Sequence, residues 1–182
     1  MERDGVLLPL APGVGHARDI PVTATARALA VGLFVPHHTV VSGLAGLWIH
    51  GGCGNLGTLD LVGKRGLHRA APGYAPRGWI LRFHSGNAAR EPASSWADVR
   101  VASPERCAAD ALRWHDLGGA IPAVLEAVRR GVVVPDDLNT LVKAEDPRGS
   151  GAARVRSAWG ALRIPAEKAY DGRLAPVTRR TS

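Results

Sequence analysis

The sequence predicts an α/β (α+β) fold: a small mixed sheet of three to five short strands covered by helices, with a helical C-terminal third. Three observations predict it. Segments at Thr58–Val62, Trp79–His84 and Val99–Ala102 alternate apolar and polar residues, the period of a half-buried strand. The segments before and after them carry apolar residues at helical spacing. The two patterns meet at Ser103-Pro104, where a strand runs straight into a helix.

In chain order, Gly5–Leu10 supplies an edge strand, and Pro12-Gly13 and Gly15 enforce a loop. Thr23 opens a helix with Ala26, Leu29, Ala30 and Leu33 on one face, and Pro36 ends it. Thr39 is expected to cap a second short helix, in which Val40, Val41, Leu44, Leu47 and Trp48 are apolar. That helix runs out in Gly51-Gly52-Cys53-Gly54. The middle of the chain turns to strands, with a Gly/Pro-rich connection from Ala71 to Gly78 between the first two.

Ser103 is the N-cap of the next helix, because its hydroxyl accepts from an orphan backbone N–H of the first turn. Pro104 takes the first helical position, where a missing N–H costs nothing, and Glu105 complements the helix dipole. Cys107, Ala108, Ala111 and Leu112 then make one apolar face. Ile121, Val124, Leu125 and Val128 repeat the helical spacing, and Arg129, Arg130 and Gly131 form a coherent helix end. Pro135-Asp136-Asp137 starts another helix with Leu138, Leu141 and Val142 inward. Val155, Ala158, Trp159 and Leu162 mark a last helix, ended by Ile164-Pro165. Residues 165–182 are expected to be a disordered basic tail.

Composition limits the function. At 182 residues and 46% hydrophobic content the chain has the makings of a real core. The formal net charge of +7 points to an anionic partner, either nucleic acid or an acidic protein surface. Two cysteines, Cys53 and Cys107, make no disulfide framework, and Met1–Gly5 is no signal peptide, so a cytoplasmic location is expected. The longest apolar run, Ala28 to Val35, is far shorter than the roughly 20 residues a membrane span needs.

Letter matches to catalytic motifs fail on context. Gly52-Cys53-Gly54-Asn55-Leu56-Gly57 fits G-x-G-x-x-G, but a helix precedes it and a strand follows, the reverse of a dinucleotide fingerprint. His50 and Cys53, with His37 and His38 nearby, have ligand-like spacing but lack a second compact pair to complete a zinc site. No G-x-S-x-G occurs, and Asp136-Asp137 is explained by the helix it opens. No metal or cofactor is expected, and no enzyme.

The sharpest charge feature runs from Lys64 to Arg90. It holds Lys64, Arg65, Arg69, Arg77, Arg82 and Arg90, with Tyr74 and Trp79 among them and no Asp or Glu. Basic loops with interleaved aromatics suit phosphate backbones and stacked bases. The same residues suit an acidic partner protein, or are simply a solvated face.

Three stretches carry a family resemblance: Thr39–Trp48, Leu59–Val62 and Val101–Asp110, extended through Ala127–Gly131 to Arg154–Arg156. Together they resemble the AbiEi family of type IV toxin–antitoxin antitoxins, in its actinobacterial branch. The resemblance covers about Arg18 to Ile164. It implies an antitoxin-like, non-enzymatic regulator whose partner is a nucleotidyltransferase-type toxin, with transcriptional regulation through a DNA-binding winged helix-turn-helix. No recognition helix precedes the Val6–Leu10 strand, so DNA binding is expected to be weak and non-specific. Residues 1–17 are then a strand and loop left from a truncated winged-helix domain, and 18–164 the antitoxin-like domain. A related actinobacterial group joins a similar central region to a very-short-patch-repair-like endonuclease domain. The alternative reading is therefore a nucleic-acid-processing protein or its remnant, since the sequence stops at Ser182 before such a domain.

Overall fold

The computed structural model describes residues 6–54, 56–63, 78–85 and 91–174. In chain order the strands are β1 (Leu7–Ala11), β2 (Val14–Ala17), β3 (Val40–Ser42), β4 (Thr58–Gly63), β5 (Ile80–Ser85), β6 (Ala93–Trp96) and β7 (Val99–Ala102). The helices are α1 (Ala24–Gly32), α2 (Gly43–Gly51), α3 (Pro104–Trp114), α4 (Leu117–Arg129), α5 (Pro135–Ala144) and α6 (Ala152–Leu174). The fold is mixed α/β, with a helical C-terminal region.

β1 and β2 form a two-stranded antiparallel hairpin about Pro12-Gly13. The other strands form one sheet in the order β5-β4-β3-β7-β6. β3 is its centre, antiparallel to β4 and parallel to β7. β4 and β5 run parallel with Asp60 beside Arg82 and Val62 beside His84. Val40, Val41, Leu59, Leu61, Val62, Val99 and Val101 are all buried, which joins the sheet to one core beneath α2 and α3.

Two glycines set the geometry at this centre. Gly43 has φ +61°, and a Cβ there would meet Asp60 Oδ2 at 2.9 Å, so the turn from β3 into α2 needs glycine. Gly46 lets α2 approach α3 so closely that a Cβ would stand 2.2 Å from Cys107 Sγ. At the other end of that contact the capping expectation is met: Ser103 Oγ accepts from Arg106 N at 3.2 Å, and Cys107, Ala108, Ala111 and Leu112 are buried.

Several expectations are corrected. Val40–Ser42 is a strand, not the opening of a helix, and the helix begins only at Gly43. The Thr39 hydroxyl donates to Pro36 O at 2.8 Å instead of capping it. β-branched residues buried on both sides favour the pleated state here. On α1 the buried residues are Ala28, Ala30 and Val31, while Leu29 and Leu33 face solvent. Pro165 does not end α6, which continues to Leu174. Ala166 is fully buried beyond the proline and Ala169 and Tyr170 pack on the core, so tertiary burial outweighs the lost hydrogen bond. Residues 175–182 of the expected tail lie outside the described residues.

Candidate functional site

Two polar clusters meet where β3, β4 and α3 come together. Both begin at buried oxygens on facing strand residues, Ser42 and Asp60, which are register partners.

The first centres on Asp60, which is fully buried. His84 Nε2 donates to Asp60 Oδ1 at 2.9 Å, and His115 Nε2 donates to Oδ2 at 2.5 Å. Strand pairing brings His84 to the same face as Asp60, two residues beyond the Arg82 that stands opposite it. His115 is the C-cap of α3. Arg154 of α6 holds that helix end by donating to the carbonyls of Leu112 and His115. Trp114 stacks on the His84 ring with centroids 3.6 Å apart and planes within 4°. Burial alone favours the neutral acid, but the hydrogen bonds from His115 and His84 outweigh it and hold Asp60 below the ordinary carboxylate range. Against a carboxylate each Nε2 acts as the donor, which fixes how each ring is turned.

The second cluster is an ion-pair network. Ser42 Oγ donates to Asp110 Oδ2 at 2.8 Å, and Arg113 reaches Asp110 Oδ1 at 3.5 Å. Glu145 bridges Arg106 and Arg113, and Arg106 also holds Glu91 by two bonds of 2.9 and 2.6 Å. A cleft of about 410 Å³ lined by Glu91, Arg106, Asp137, Leu141 and Glu145 opens beside it. Burial pushes Asp110 up to about 6, against the pull of Arg106, Arg113 and the Ser42 hydroxyl. Burial and the Asp110 charge also push the Cys107 thiol well above its usual range, which makes it an unreactive packing residue.

A pH dependence follows for Asp110. Its folded pKa is raised, so its contribution to stability is whole below the unfolded value near 3.8 and is lost as pH rises through about 6. In Asp110→Asn that term is gone. Between pH 4 and pH 7 wild type is expected to lose up to about 3 kcal/mol relative to this variant. Urea unfolding of both proteins across that range measures the difference, and parallel pH profiles would contradict the burial of Asp110.

Of the residues the sequence singled out for binding, Lys64, Arg65, Arg69, Tyr74, Arg77 and Arg90 lie outside the described residues. Arg82 is exposed on β5. Trp79 is corrected: it is buried, its indole N–H donates to Pro12 O at 2.9 Å, and its ring lies 5.4 Å from Phe34. An indole so enclosed packs the β1–β2 hairpin against the core and presents no face to a base. His50 donates to Ala102 O at 2.8 Å, and burial lowers its pKa. Asp60, His84 and His115 were not singled out from sequence. The one signal was a carboxylate at the middle of the apolar strand Leu59-Asp60-Leu61.

No helix among the described residues is long and apolar enough to cross a membrane. No family model matches the chain, and neither a curated protein nor a solved structure matches it.

Proposed function

We propose that the chain is an antitoxin-like regulator that is not itself an enzyme and acts by docking a protein partner, with DNA as a further ligand. The resemblance names the partner class as a nucleotidyltransferase-type toxin. The observation that carries the reading is the outer side of α1. Leu29 and Leu33, one turn apart, are 60% and 79% exposed, and Ile20 just before the helix is 58% exposed. Large aliphatic side chains at adjacent turns, left in water, suit a protein interface. The chain's formal net charge of +7 favours a partner with an acidic surface.

The test is co-purification with a toxin-like nucleotidyltransferase encoded beside this chain, using wild type and Leu29→Asp/Leu33→Asp. The double variant is expected to lose the partner while keeping its melting temperature, because both side chains are already solvated. Equal retention of the partner by both proteins would reject this face.

One observation favours a second reading, a nucleic-acid-processing protein. Asp60 orients two imidazoles, the arrangement general acid–base chemistry uses. Cleavage of DNA or RNA by the purified protein, abolished in Asp60→Asn, would replace the first reading with this one.

A further inference from the structure

The C-terminal end of α2 gathers two arginines from elements far apart in the chain. Arg27 of α1 donates Nε to Ile49 O at 3.0 Å and Nη1 to Val22 O at 3.1 Å. Arg130, the C-cap of α4, donates Nη1 to Gly51 O at 2.8 Å. Between them stands Gly52, the left-handed residue that ends α2, with φ +70°. The first atoms that a Cβ on Gly52 would meet are Arg27 Nη1 at 3.5 Å and Arg130 Nη1 at 3.6 Å. Both nitrogens therefore lie within 3.6 Å of one point and no more than about 7 Å from each other. Gly52 has no side chain to fill that point, and it is partly exposed, so a ligand can reach it.

Capping explains why arginines come to this helix end, since its last carbonyls need donors. It does not use up the two guanidinium forks. Ile49 O, Val22 O and Gly51 O take one N–H each, and Glu126 takes Arg130 Nε at 2.7 Å. Nη2 of each guanidinium has no hydrogen-bond partner among the described residues. The charge is unbalanced as well. Arg129 shares Glu126 with Arg130, and the Arg173 guanidinium lies against Gly131, the residue after Arg130. Glu126 is the one acid paired with any of these arginines among the described residues. Two guanidiniums that reach one open point match a tetrahedral oxyanion. Charge-assisted bonds of about 2.8 Å to two oxygens of one phosphate close a gap of this width. The planar fork of arginine suits phosphate geometry better than the point charge of lysine.

We propose that Arg27 and Arg130 hold a phosphate group over Gly52, with Arg129 and Arg173 adding attraction at longer range. A phosphate of this kind belongs to a polynucleotide strand or to a nucleotide. As part of a strand it is the DNA ligand of the function proposed above and rests on that reading.

Titration calorimetry tests the site with three probes: a single-stranded 12-nucleotide oligothymidylate, thymidine monophosphate and a 12-residue polyglutamate. Arg130→Gln is expected to weaken oligothymidylate binding about ten-fold and to lower its log–log salt slope by about 0.7, one phosphate contact on a single strand. Arg163→Gln removes the same charge from α6, where Arg163 pairs with Glu167, and is expected to stay within about two-fold of wild type. Thermal melts of both variants check that the fold is kept. A strong preference for the oligonucleotide assigns the phosphate to a strand, and equal affinity for thymidine monophosphate assigns it to a nucleotide. Absence of binding by both overturns the proposal. So does wild-type affinity in Arg130→Gln, or an equal loss in Arg163→Gln, which would reduce the effect to net charge. Polyglutamate binding as tight as the oligonucleotide would assign the arginines to an acidic protein instead. A chain that binds oligothymidylate but never co-purifies with a toxin-like partner fails the docking reading and keeps this site. One that keeps the partner and binds no probe fails this site alone.

Discussion

Ala111→Asp is expected to cost about 4 kcal/mol or more, enough to leave a large unfolded fraction at room temperature. Ala111 is fully buried on the face of α3 that also carries Cys107, Ala108 and Leu112. A carboxylate there either stays charged in an apolar setting or takes a proton and leaves an unpaired hydroxyl, and both states are costly. The two arginines of its own helix already hold other carboxylates. Arg106 is engaged by Glu91 and Glu145, and Arg113 by Asp110 and Glu145. The neighbouring Asp110 already has its ionisation opposed by burial, and a second carboxylate adds repulsion. Urea unfolding followed by tryptophan fluorescence measures the loss, and an unchanged midpoint would show that this face of α3 is not in the core.

Gly46→Ala is expected to destabilise by about 3 kcal/mol, although the same change on an exposed helix stabilises by about 1 kcal/mol. The reversal comes from one contact. The new methyl would stand 2.2 Å from Cys107 Sγ and 3.2 Å from its Cβ, so α2 and α3 must separate. Cys107 is fully buried, which leaves its thiol nowhere to turn. Removing that sulfur should therefore recover much of the loss. In a double-mutant cycle, Gly46→Ala is expected to cost at least about 1 kcal/mol less in a Cys107→Ala background. Additive effects would mean that the two helices are not in contact at this point.

What sequence alone reveals here depends on whether the signal is local. The start of α3 was legible because Ser103, Pro104 and Glu105 act within one turn. The paired burial of Val99 and Val101 was legible because alternation needs only a few residues. β3 was misread because three residues, Val40-Val41-Ser42, are too short to show a period, and the helix that follows extended its own pattern back over them. β6 was not anticipated, since Ala93-Ser94-Ser95-Trp96 has neither strong alternation nor β-branched residues; its partner β7 supplies the pairing. The reach of α6 past Pro165 depended on Ala166, whose burial is set by distant elements. The Asp60 site was hidden for the same reason. His84 and His115 lie 24 and 55 residues from Asp60, and only the sheet and the end of α3 bring them to it. Trp79 shows the converse error: an aromatic among arginines looked like a ligand platform, and its neighbours in space are Pro12 and Phe34.

The parallel pairing of β3 with β7 also bears on how the chain is made. On the side away from β4, Val41 pairs with Val101, and the Ser42 hydroxyl donates to Asp110, 68 residues later. At ribosomal speeds of about 5–20 residues per second, the strand that ends up at the middle of the sheet waits roughly 3–14 s for β7 and Asp110. During that interval β3 and β4 can pair as a local antiparallel unit, but the side of β3 that β7 will cover stays bare. A nascent chain released before Val99 would carry this unsatisfied strand edge into solution. Such an edge invites capture by a chaperone or pairing with other unfinished chains until β7 has been made.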